Sequence, residues 1–351
     1  MLKQTFSFML MLFLAGCGND SSKTASEPSI EPYFYQQWSL DKNDDFYTLN
    51  AIDSDAHIHP NGLLNQYSGS GVKIAVIDNS LDVYHEDLAG AIIESYDLET
   101  GTTDVSNNNP TQYHGTAVTG IVGARANSKG VKGVASGADI IFLKYKEFMS
   151  DSDVIELFDR AEAFGADIIS NSWGTGAVSP AVTAKIVDLA NNGRGAKGTV
   201  IVFACGNESA EMGNDESAIP EVISVGATNK YNLIAAYSNF GINLDIVAPG
   251  GYYLGITTLD SMGSDGGASI NENYLLYNDS NGFAGTSASA PIVSGVIALM
   301  LEKNPNLSRI EIENILKNSA DKIGTVPYDI NGRNDYYGYG KINLTKAMNL
   351  I

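Results

Sequence analysis

The chain is organised around Gly282-Phe283-Ala284-Gly285-Thr286-Ser287-Ala288-Ser289-Ala290-Pro291, which is followed by an apolar run over residues 292–301. The small residues around Ser287 would let a substrate backbone approach its hydroxyl closely. Because proline is tolerated in the first turn of a helix, Pro291 predicts a helix that begins close to Ser287. The hydroxyl would then lie at the positive end of the helix dipole, beside unpaired N–H groups that stabilise an oxyanion. By itself the stretch fits a nucleophilic serine and a Ser/Ala-rich helix cap equally well.

Upstream of this stretch, short apolar runs alternate with helical patterns. The run over residues 72–77 ends at Asp78, as expected of a buried parallel strand whose carboxyl end carries a functional residue. This alternation predicts an α/β fold of three layers, a parallel sheet with helices on both faces. The further strands are expected at 139–143, 168–170 and 200–204, and the helices at 117–124, 154–164 and 181–191.

Composition limits the function classes. Of the 351 residues, 44% are hydrophobic, which is enough for a large core. We expect a single folded domain over residues 31–351, without a second large domain. The formal charge is −20, from 41 acidic against 21 basic residues, which excludes nucleic acid as a partner because a basic face is missing. The acidic balance favours cations and basic peptides. It is equally explained by a salt-tolerant surface without a specific role.

The N-terminus has the pattern of an export signal. Residues 1–16 contain one lysine and a short apolar run, too short for a comfortable membrane span, and Leu-Ala-Gly precedes Cys17. This junction resembles a bacterial lipobox, in which the cysteine is lipidated and becomes the new N-terminus. The alternative is an ordinary export signal with an incidental cysteine. Residues 17–30 are rich in small and polar residues and indicate a flexible tether.

Three residues supply the types that nucleophilic catalysis needs. Ser287 is the nucleophile, His114 lies just before a predicted helix and would take its proton, and Asp78 would orient the imidazole. The other histidines are weaker candidates for the base, because His57 and His59 lie in a polar segment and His85 lies in an acidic loop.

The order Asp, His, Ser is that of the subtilisin clan. The chain resembles a subtilisin-like serine protease, nearest to the kexin/furin-like branch, over residues 31–351. The branch is indicated by E-P-Y-F-Y-Q-Q-W at 31–38 and N-P-N-L-S at 304–308. The general motifs are A-V-I-D ending at residue 78, H-E-D-L at 85–88, H-G-T at 114–116, S-N-S-W-G at 170–174, A-C-G-N at 204–207, A-P-G at 248–250 and G-T-S-A-S-A-P at 285–291.

The resemblance implies further site residues. It makes Asn207 the oxyanion donor together with the Ser287 N–H, although an asparagine in a tight turn is the simpler explanation of Cys205-Gly206-Asn207 taken alone. It makes Ser172, Trp173 and Gly174 the edge on which an extended substrate pairs, while Trp173 equally fits a core position. Cys205 is expected to be a small buried packing residue.

Calcium is the cofactor that the resemblance implies. Residues 125–134 resemble the family's calcium loop, and an all-oxygen shell suits this hard cation. A solvent-exposed Gly/Asn loop is the alternative, and two lysines in the segment weaken the calcium interpretation. The implied ligands are the side chains of Asn127, Asp87 and Glu31 and the backbone carbonyls of Arg125, Lys129 and Val131.

Departures from the kexin pattern limit what carries over. Kexins have an acidic residue directly after the catalytic Asp, where this chain has Asn79. They also have acidic residues soon after Ser-Trp-Gly, where this chain has none after Ser172-Trp173-Gly174. The acidic residue that follows Tyr-Ser in kexins is replaced by Asn239. A preference for paired basic residues is therefore not inherited, although Glu156, Asp215 and Glu216 could form a different acidic pocket. Only residues 18–30 are available as a propeptide, so folding is expected to proceed unassisted or with a separate helper or inhibitor protein.

Together these patterns predict a serine endopeptidase that acts on proteins or peptides through an acyl-enzyme and is lipid-anchored in the cell envelope. Gly18 after the lipidated cysteine favours the outer membrane or the cell surface. The rival hypothesis is a catalytically silent surface lipoprotein that keeps the protease fold and binds a partner.

Overall fold

The computed structural model describes residues 31–106, 111–263, 266–268, 272–279 and 282–351. Seven strands form one parallel sheet in the order β2-β3-β1-β4-β5-β6-β7. The strands are β1 Lys73–Asp78, β2 Ile92–Asp97, β3 Asp139–Lys144, β4 Ile168–Asn171, β5 Val200–Ala204, β6 Ile223–Thr228 and β7 Ile246–Pro249. A short antiparallel pair, β8 Thr258–Leu259 and β9 Tyr274–Leu275, lies outside this sheet.

Helices cover both faces of the sheet. They are α1 Asp44–Asn50, α2 His114–Gly123, α3 Asp151–Ala163, α4 Pro180–Ala196, α5 Thr286–Lys303, α6 Arg309–Ser319 and α7 Leu344–Asn349. Side chains of a strand alternate between the two faces, so Ile74 and Val76 of β1 belong to the core beneath α2 and α5. Ala75 and Ile77 belong to the core beneath α3 and α4. The predicted three-layer α/β fold is confirmed.

The predicted elements match the structure closely where their apolar runs are unbroken. The strand predicted at 200–204 is β5 as found, and the one at 139–143 is one residue short of β3. The capping box of α6 is present, because Ser308 and Glu311 each accept the other's backbone N–H. The helix predicted at 181–191 matches the regular part of α4, because Gly193, Arg194 and Gly195 depart from helical dihedral angles and interrupt the helix before its assigned end at Ala196.

One prediction about the central stretch was wrong in detail. Helix α5 does begin beside Ser287, at Thr286, but Pro291 lies in its second turn and not in its first. The missing N–H of Pro291 therefore leaves a carbonyl of the first turn without its helical donor.

Residues 1–30, which include the predicted signal segment and Cys17, lie outside the described residues. Within the part of the chain that the structure describes, none of the helices combines the length and the hydropathy that a membrane span requires.

Candidate active site

Three elements bring Asp78, His114 and Ser287 to one edge of the sheet. Asp78 is the last residue of β1, His114 is the first residue of α2 and Ser287 is the second residue of α5. Strand β1 lies between β3 and β4, so the chain crosses from one side of it to the other, and such a switch point opens a crevice at the carboxyl ends of the strands. The wholly buried Asp78 contacts the imidazole through a bond of 2.8 Å between Oδ1 and His114 Nδ1.

This contact sets the protonation of the imidazole. Burial lowers the pKa of His114, but the charge of Asp78 and its hydrogen bond outweigh burial, so the pKa is raised above its usual value. Because Nδ1 is engaged by Asp78, Nε2 is the nitrogen left to exchange a proton with a substrate or with Ser287. The ring of Phe283 packs on the imidazole with 5.4 Å between centroids and covers one of its sides.

Ser172 replaces the helical bond that Pro291 removes. In a regular helix the N–H of residue 291 would donate to the carbonyl of Ser287, but proline has no N–H. The Ser172 hydroxyl donates to this carbonyl at 3.0 Å, and the Ser287 hydroxyl donates to the Ser172 carbonyl at 3.3 Å. These two bonds tie Ser287 to the segment that follows β4.

Asn207 is arranged to donate to an oxyanion. Its Oδ1 accepts the N–H of Thr286 at 2.8 Å and the Thr286 hydroxyl at 3.0 Å. The amide oxygen is thus turned towards the start of α5, which leaves the NH₂ group to donate into the adjoining cavity. The Ser287 N–H lies in the first turn of α5, where backbone donors have no helical partner. These are the two donors that the resemblance implied.

The turn that carries Asn207 is held by a buried amide that the sequence had not assigned to the site. The Oδ1 of Asn239 accepts the N–H groups of Glu208 at 3.0 Å and Ala210 at 3.1 Å. Its Nδ2 donates to the Cys205 carbonyl at 3.0 Å and to a Glu208 carboxylate oxygen at 2.7 Å. A neutral amide therefore fixes the turn at the position where kexins have an acid.

Cys205 is buried, and burial raises the pKa of its thiol to about 12. At neutral pH the thiol is therefore protonated and unreactive, as expected of a packing residue.

Ser287 and Asn207 line one cavity of about 240 Å³ with the predicted substrate edge. Trp173 lines this cavity and also packs on Phe203 with 5.3 Å between ring centroids, so it contributes to the core whether or not it contacts a substrate. None of the described residues that line the cavity is basic. The described lining residues are Ser172, Trp173, Gly174, Gly176, Ala204, Gly206, Asn207, Glu208, Asp215, Thr286 and Ser287.

The acids at this cavity are not quite those expected. Asp215 lines it, and Glu216 lies behind its edge, where both carboxylate oxygens accept bonds from Thr175. Glu208 also lines it and had not been considered. Including Glu156 was wrong, because this residue lies on α3, where its carboxylate pairs with Arg160 at 3.1 Å.

Two incompletely satisfied carboxylates contact the loop over residues 125–134 that is implied to bind calcium. Glu31 Oε1 accepts the Ser128 N–H at 2.9 Å and Asp87 Oδ2 accepts the Val131 N–H at 3.0 Å. The other oxygen of each, Glu31 Oε2 and Asp87 Oδ1, is buried with no hydrogen-bond partner among the described residues. Desolvation on burial raises the pKa of the Asp87 carboxyl group. Two buried oxygens that lack donors fit a bound cation.

The remaining implied calcium ligands lie in the same loop. Asn127 Oδ1 accepts the Lys129 N–H at 3.0 Å, and the Arg125 N–H donates to the Asp87 carbonyl at 2.7 Å. Among the described residues there is no cluster of three or more His, Cys, Asp or Glu side chains that could hold a metal. A calcium ion here would therefore depend on amide and carbonyl oxygens, including the carbonyl of Val131, beside the two carboxylates.

His57 and His59 also differ from expectation. The sequence pattern indicated no partner for either residue, but the centroids of their rings lie 4.4 Å apart, and His59 Nε2 lies 3.4 Å from a carboxylate oxygen of Asp321. They lie away from the triad and line no part of the cavity beside Ser287.

Comparison with known proteins agrees with this geometry. The chain is 34% identical over 345 residues to a calcium-dependent protease of Nostoc sp., covering 90% of this chain and 51% of that protein. It is 31% identical to a thermophilic serine proteinase of Bacillus sp., over 80% of this chain and 62% of that one. The chain thus spans about half the length of the calcium-dependent proteases it matches.

Solved structures show the same fold. A protease from Pseudoalteromonas arctica superposes with a TM-score of 0.73 at 26% identity, covering 92% of this chain and 99% of that one. The Aeromonas sobria serine protease, solved in complex with a chaperone, gives a TM-score of 0.78 at 23% identity, covering 94% of this chain and 68% of that one. The model of the subtilase family matches residues 69–340. This chain belongs to the subtilase family of serine proteases.

Proposed function

We propose that the chain is a serine endopeptidase that cleaves proteins or peptides through an acyl-enzyme. The observation that carries this is the 2.8 Å bond between His114 Nδ1 and Asp78 Oδ1, beside a cavity lined by both Ser287 and Asn207. These residues would supply a nucleophile, a base with its orienting carboxylate and an amide donor for the developing oxyanion.

The geometry assigns a step to each residue. His114 Nε2 takes the proton of Ser287 Oγ as this oxygen attacks the peptide carbonyl, and Asp78 stabilises the imidazolium that forms. The Asn207 NH₂ and the Ser287 N–H donate to the carbonyl oxygen as it becomes negative. His114 then protonates the leaving amine, which departs, and the acyl-enzyme is hydrolysed by a water that gives its proton to the same nitrogen.

Labelling with a serine-directed fluorophosphonate tests this proposal against the silent binding lipoprotein. Wild type should be labelled and should cleave peptides, whereas Ser287→Ala should lose the label and nearly all turnover with an unchanged circular dichroism spectrum. Asn207→Ala should lower kcat by about 10²–10³ with little change in KM, a range measured on a subtilisin and carried over here. A wild-type protein that is folded but takes no label and cleaves nothing would instead support the silent lipoprotein.

We further propose that the cavity beside Ser287 accepts lysine or arginine at P1, the residue before the cleaved bond. Asp215 Oδ1 is occupied by the Ser217 N–H and hydroxyl, while Oδ2 lies 3.6 Å from the point where a Cβ on Gly174 would stand. Glu216 Oε2 lies 3.9 Å from the same point. Two carboxylates that converge on the lining favour a cationic side chain. Matched peptide substrates with arginine or leucine at P1 test this, and arginine should be cleaved faster.

We propose that the Glu31 and Asp87 loop binds a structural calcium ion. The support is the pair of buried carboxylate oxygens without donors and the similarity to proteins named calcium-dependent proteases. Calcium would act there by stabilising the fold, because none of the implied ligands lines the cavity beside Ser287.

For Cys17 we propose lipidation and anchoring in the cell envelope, with the outer membrane or cell surface favoured by Gly18. The support is the Leu-Ala-Gly-Cys junction after a short apolar run. Cys17→Ser should abolish labelling by a fatty-acid analogue and release the protein into the soluble fraction. Membrane retention equal to that of wild type would contradict this proposal.

A separate folding helper stays a prediction for this chain. Urea-unfolded protein, diluted into buffer with calcium, would be expected to regain little cleavage activity by itself. Full unaided recovery would contradict the need for a helper.

A further inference from the structure

We propose that a row of four tyrosines beside Ser287 binds the substrate residues that follow the cleaved bond and favours lysine or arginine among them. The tyrosine row consists of Tyr237, Tyr252, Tyr253 and Tyr231. The inference rests on the proposed peptidase function, and it concerns the half of the substrate that the P1 cavity does not contact.

The row starts at the turn that carries the nucleophile. The Tyr237 hydroxyl accepts the Gly285 N–H at 3.0 Å and donates to the Gly250 carbonyl at 2.7 Å. Burial raises the pKa of Tyr237, so this hydroxyl stays protonated as the two bonds require. The tyrosine row is therefore attached two residues before Ser287.

From Tyr237 the rings lead outward to the surface. Centroid distances are 5.7 Å from Tyr237 to Tyr252, 4.2 Å from Tyr252 to Tyr253 and 5.7 Å from Tyr253 to Tyr231. Tyr253 is 67% exposed and Tyr231 is 46% exposed. An extended peptide advances about 3.3–3.6 Å per residue, so each step of the row corresponds to one or two substrate residues.

The reaction places the leaving group on this side. His114 must protonate the leaving amine, so the residues after the cleaved bond lie against His114 and the Phe283 ring that packs on it. The neighbours of Phe283, Gly282 and Ala284, line a second cavity of about 490 Å³, together with Tyr252 and Tyr253. The P1 cavity is lined by Thr286 and Ser287. The segment over residues 282–287 therefore lies between two cavities. One is available to the substrate residues before the cleaved bond and the other to those after it.

The fold does not require a tyrosine at position 253. Its φ angle is +67°, in the left-handed region that a bulky side chain rarely adopts and that glycine adopts without strain. A residue that is strained and whose ring is mostly exposed gains nothing from core packing at this position. Such an outlier beside a catalytic site is a reason to look for a binding role.

Charge and ring chemistry select the ligand. Among the described residues that line the second cavity, Asp279 is the one charged group; it is partly exposed, and one of its carboxylate oxygens accepts the Leu276 N–H at 2.6 Å. The Lys230 ammonium lies 5.1 Å from the Tyr231 ring centroid, so one ring of the row already holds a cation. Aromatic faces attract ammonium and guanidinium groups. A net charge of −20 adds a long-range attraction for basic segments.

Internally quenched peptides test this directly. All should carry the P1 residue that the enzyme cleaves best and differ only at the second and third positions after the cleaved bond, with lysine, alanine, glutamate or phenylalanine there. A short anilide substrate without residues after the bond serves as the reference. We expect kcat/KM for the lysine peptide to exceed that for the alanine peptide about three- to tenfold, with the glutamate peptide slowest.

Variants then connect the preference to the row. Tyr253→Gly combined with Tyr231→Ser should abolish the preference for lysine over alanine, with each rate taken relative to cleavage of the short anilide by the same variant. Tyr253→Gly alone should melt no lower than wild type, because glycine relieves the left-handed backbone, so a loss of preference there is not a folding defect. Tyr336→Ser, at an exposed tyrosine outside the row, is the matched control and should keep the preference.

Equal rates for the lysine and alanine peptides in wild type would overturn the inference, as would a preference for phenylalanine over lysine or a lysine preference that survives in the double variant. These outcomes leave the proposed peptidase intact, because the anilide is still cleaved and Ser287 still labelled. If wild type neither cleaves the anilide nor takes the label, the proposed function fails and this inference fails with it.

Discussion

The calcium loop with Glu31 and Asp87 and the P1 cavity with Asp215 and Glu216 each gather two carboxylates, but the partners of these groups differ. In the loop each carboxylate has one oxygen on a backbone N–H and a second oxygen that is buried without a described donor. At the cavity both oxygens of Glu216 accept bonds from Thr175. Asp215 Oδ1 accepts the Ser217 N–H and hydroxyl, while its Oδ2 lies 3.6 Å, and Glu216 Oε2 3.9 Å, from the point where a Cβ on Gly174 would stand.

This difference separates a permanent cation from a transient one. A buried oxygen that lacks a donor costs about 1–3 kcal/mol, so the loop needs its cation whenever the chain is folded. The Asp215 oxygen faces an open cavity where water can solvate it, and it exchanges that water for a substrate side chain only during turnover. Removing a carboxylate should therefore reduce stability in the loop and selectivity at the cavity.

The largest expected effect is on selectivity. In Asp215→Asn, kcat/KM for the arginine substrate should fall about 30- to 300-fold, because a desolvated cation loses its charge-assisted partner. The leucine substrate should be cleaved nearly as before, since it makes no use of the charge. Asp188→Asn, at an exposed acid on α4, is the control and should change neither rate. An equal fall for arginine and leucine would show that Asp215 shapes the cavity without reading charge.

The three residues of the proposed triad could be identified from the sequence because each lies at the end of a strand or the start of a helix that has a local sequence pattern. Asp78 ends an unbroken apolar run, and His114 and Ser287 each lie at the start of a helix, so the parallel sheet brings them together. Strands β2, β6 and β7 were missed because their runs are interrupted or short. For example, Ser224, Gly226 and Thr228 break the run of β6, although all six of its residues are buried.

Contacts between distant segments could not be predicted. Asn239 fixes the oxyanion turn from 32 positions beyond Asn207, and Ser172 completes a helix that begins more than a hundred residues later. Glu156 was assigned to the cavity on charge alone, and the structure places it with Arg160 on α3. The tyrosine row combines residues from the connection after β6 and the connection after β7, so no single stretch indicates it.

The second largest expected effect is on the thermal stability of the protein when calcium is removed. A ligand that binds only the native state adds about 2.7 kcal/mol at a concentration 100 times its Kd. Chelation should therefore lower the melting temperature of wild type by about 4 °C, given the unfolding entropy of a domain of this size. Asp87→Asn should melt lower in calcium buffer and should respond little to the chelator, as followed by differential scanning calorimetry.

Asp215→Asn provides the cross-check, because its melting temperature should respond to chelation as wild type does. If chelation lowers the melting temperature of wild type and Asp87→Asn alike, calcium acts at some other place. If it changes neither protein and metal analysis finds no calcium, the loop holds no structural ion.

The pair of His57 and His59 shows the opposite behaviour to the carboxylate pairs. Here burial keeps an ionisable side chain neutral, so no counter-ion is required. His57 is buried, its Nδ1 has no described partner, and its ring is tilted against that of His59 with 4.4 Å between centroids. Burial, followed by the charges of His59 and the buried Lys341, lowers the pKa of His57 to about 3. Asp321, which faces His59, opposes this shift only weakly.

The smallest expected effect follows from this pair. In the unfolded chain His57 takes up a proton below about pH 6.5, whereas in the native chain it does so only as the pH approaches 3. The contribution of the neutral ring to the free energy of unfolding is therefore complete above about pH 6.5. Between pH 6.5 and 3 this contribution is lost as the pH falls, by roughly 1–2 kcal/mol at pH 5. Urea unfolding of wild type and His57→Phe at pH 7.5 and 5 measures it, because phenylalanine keeps the ring and cannot take up the proton. The variant should lose less stability on acidification than wild type, and parallel losses would show that His57 is protonated in the native state as easily as in the unfolded chain.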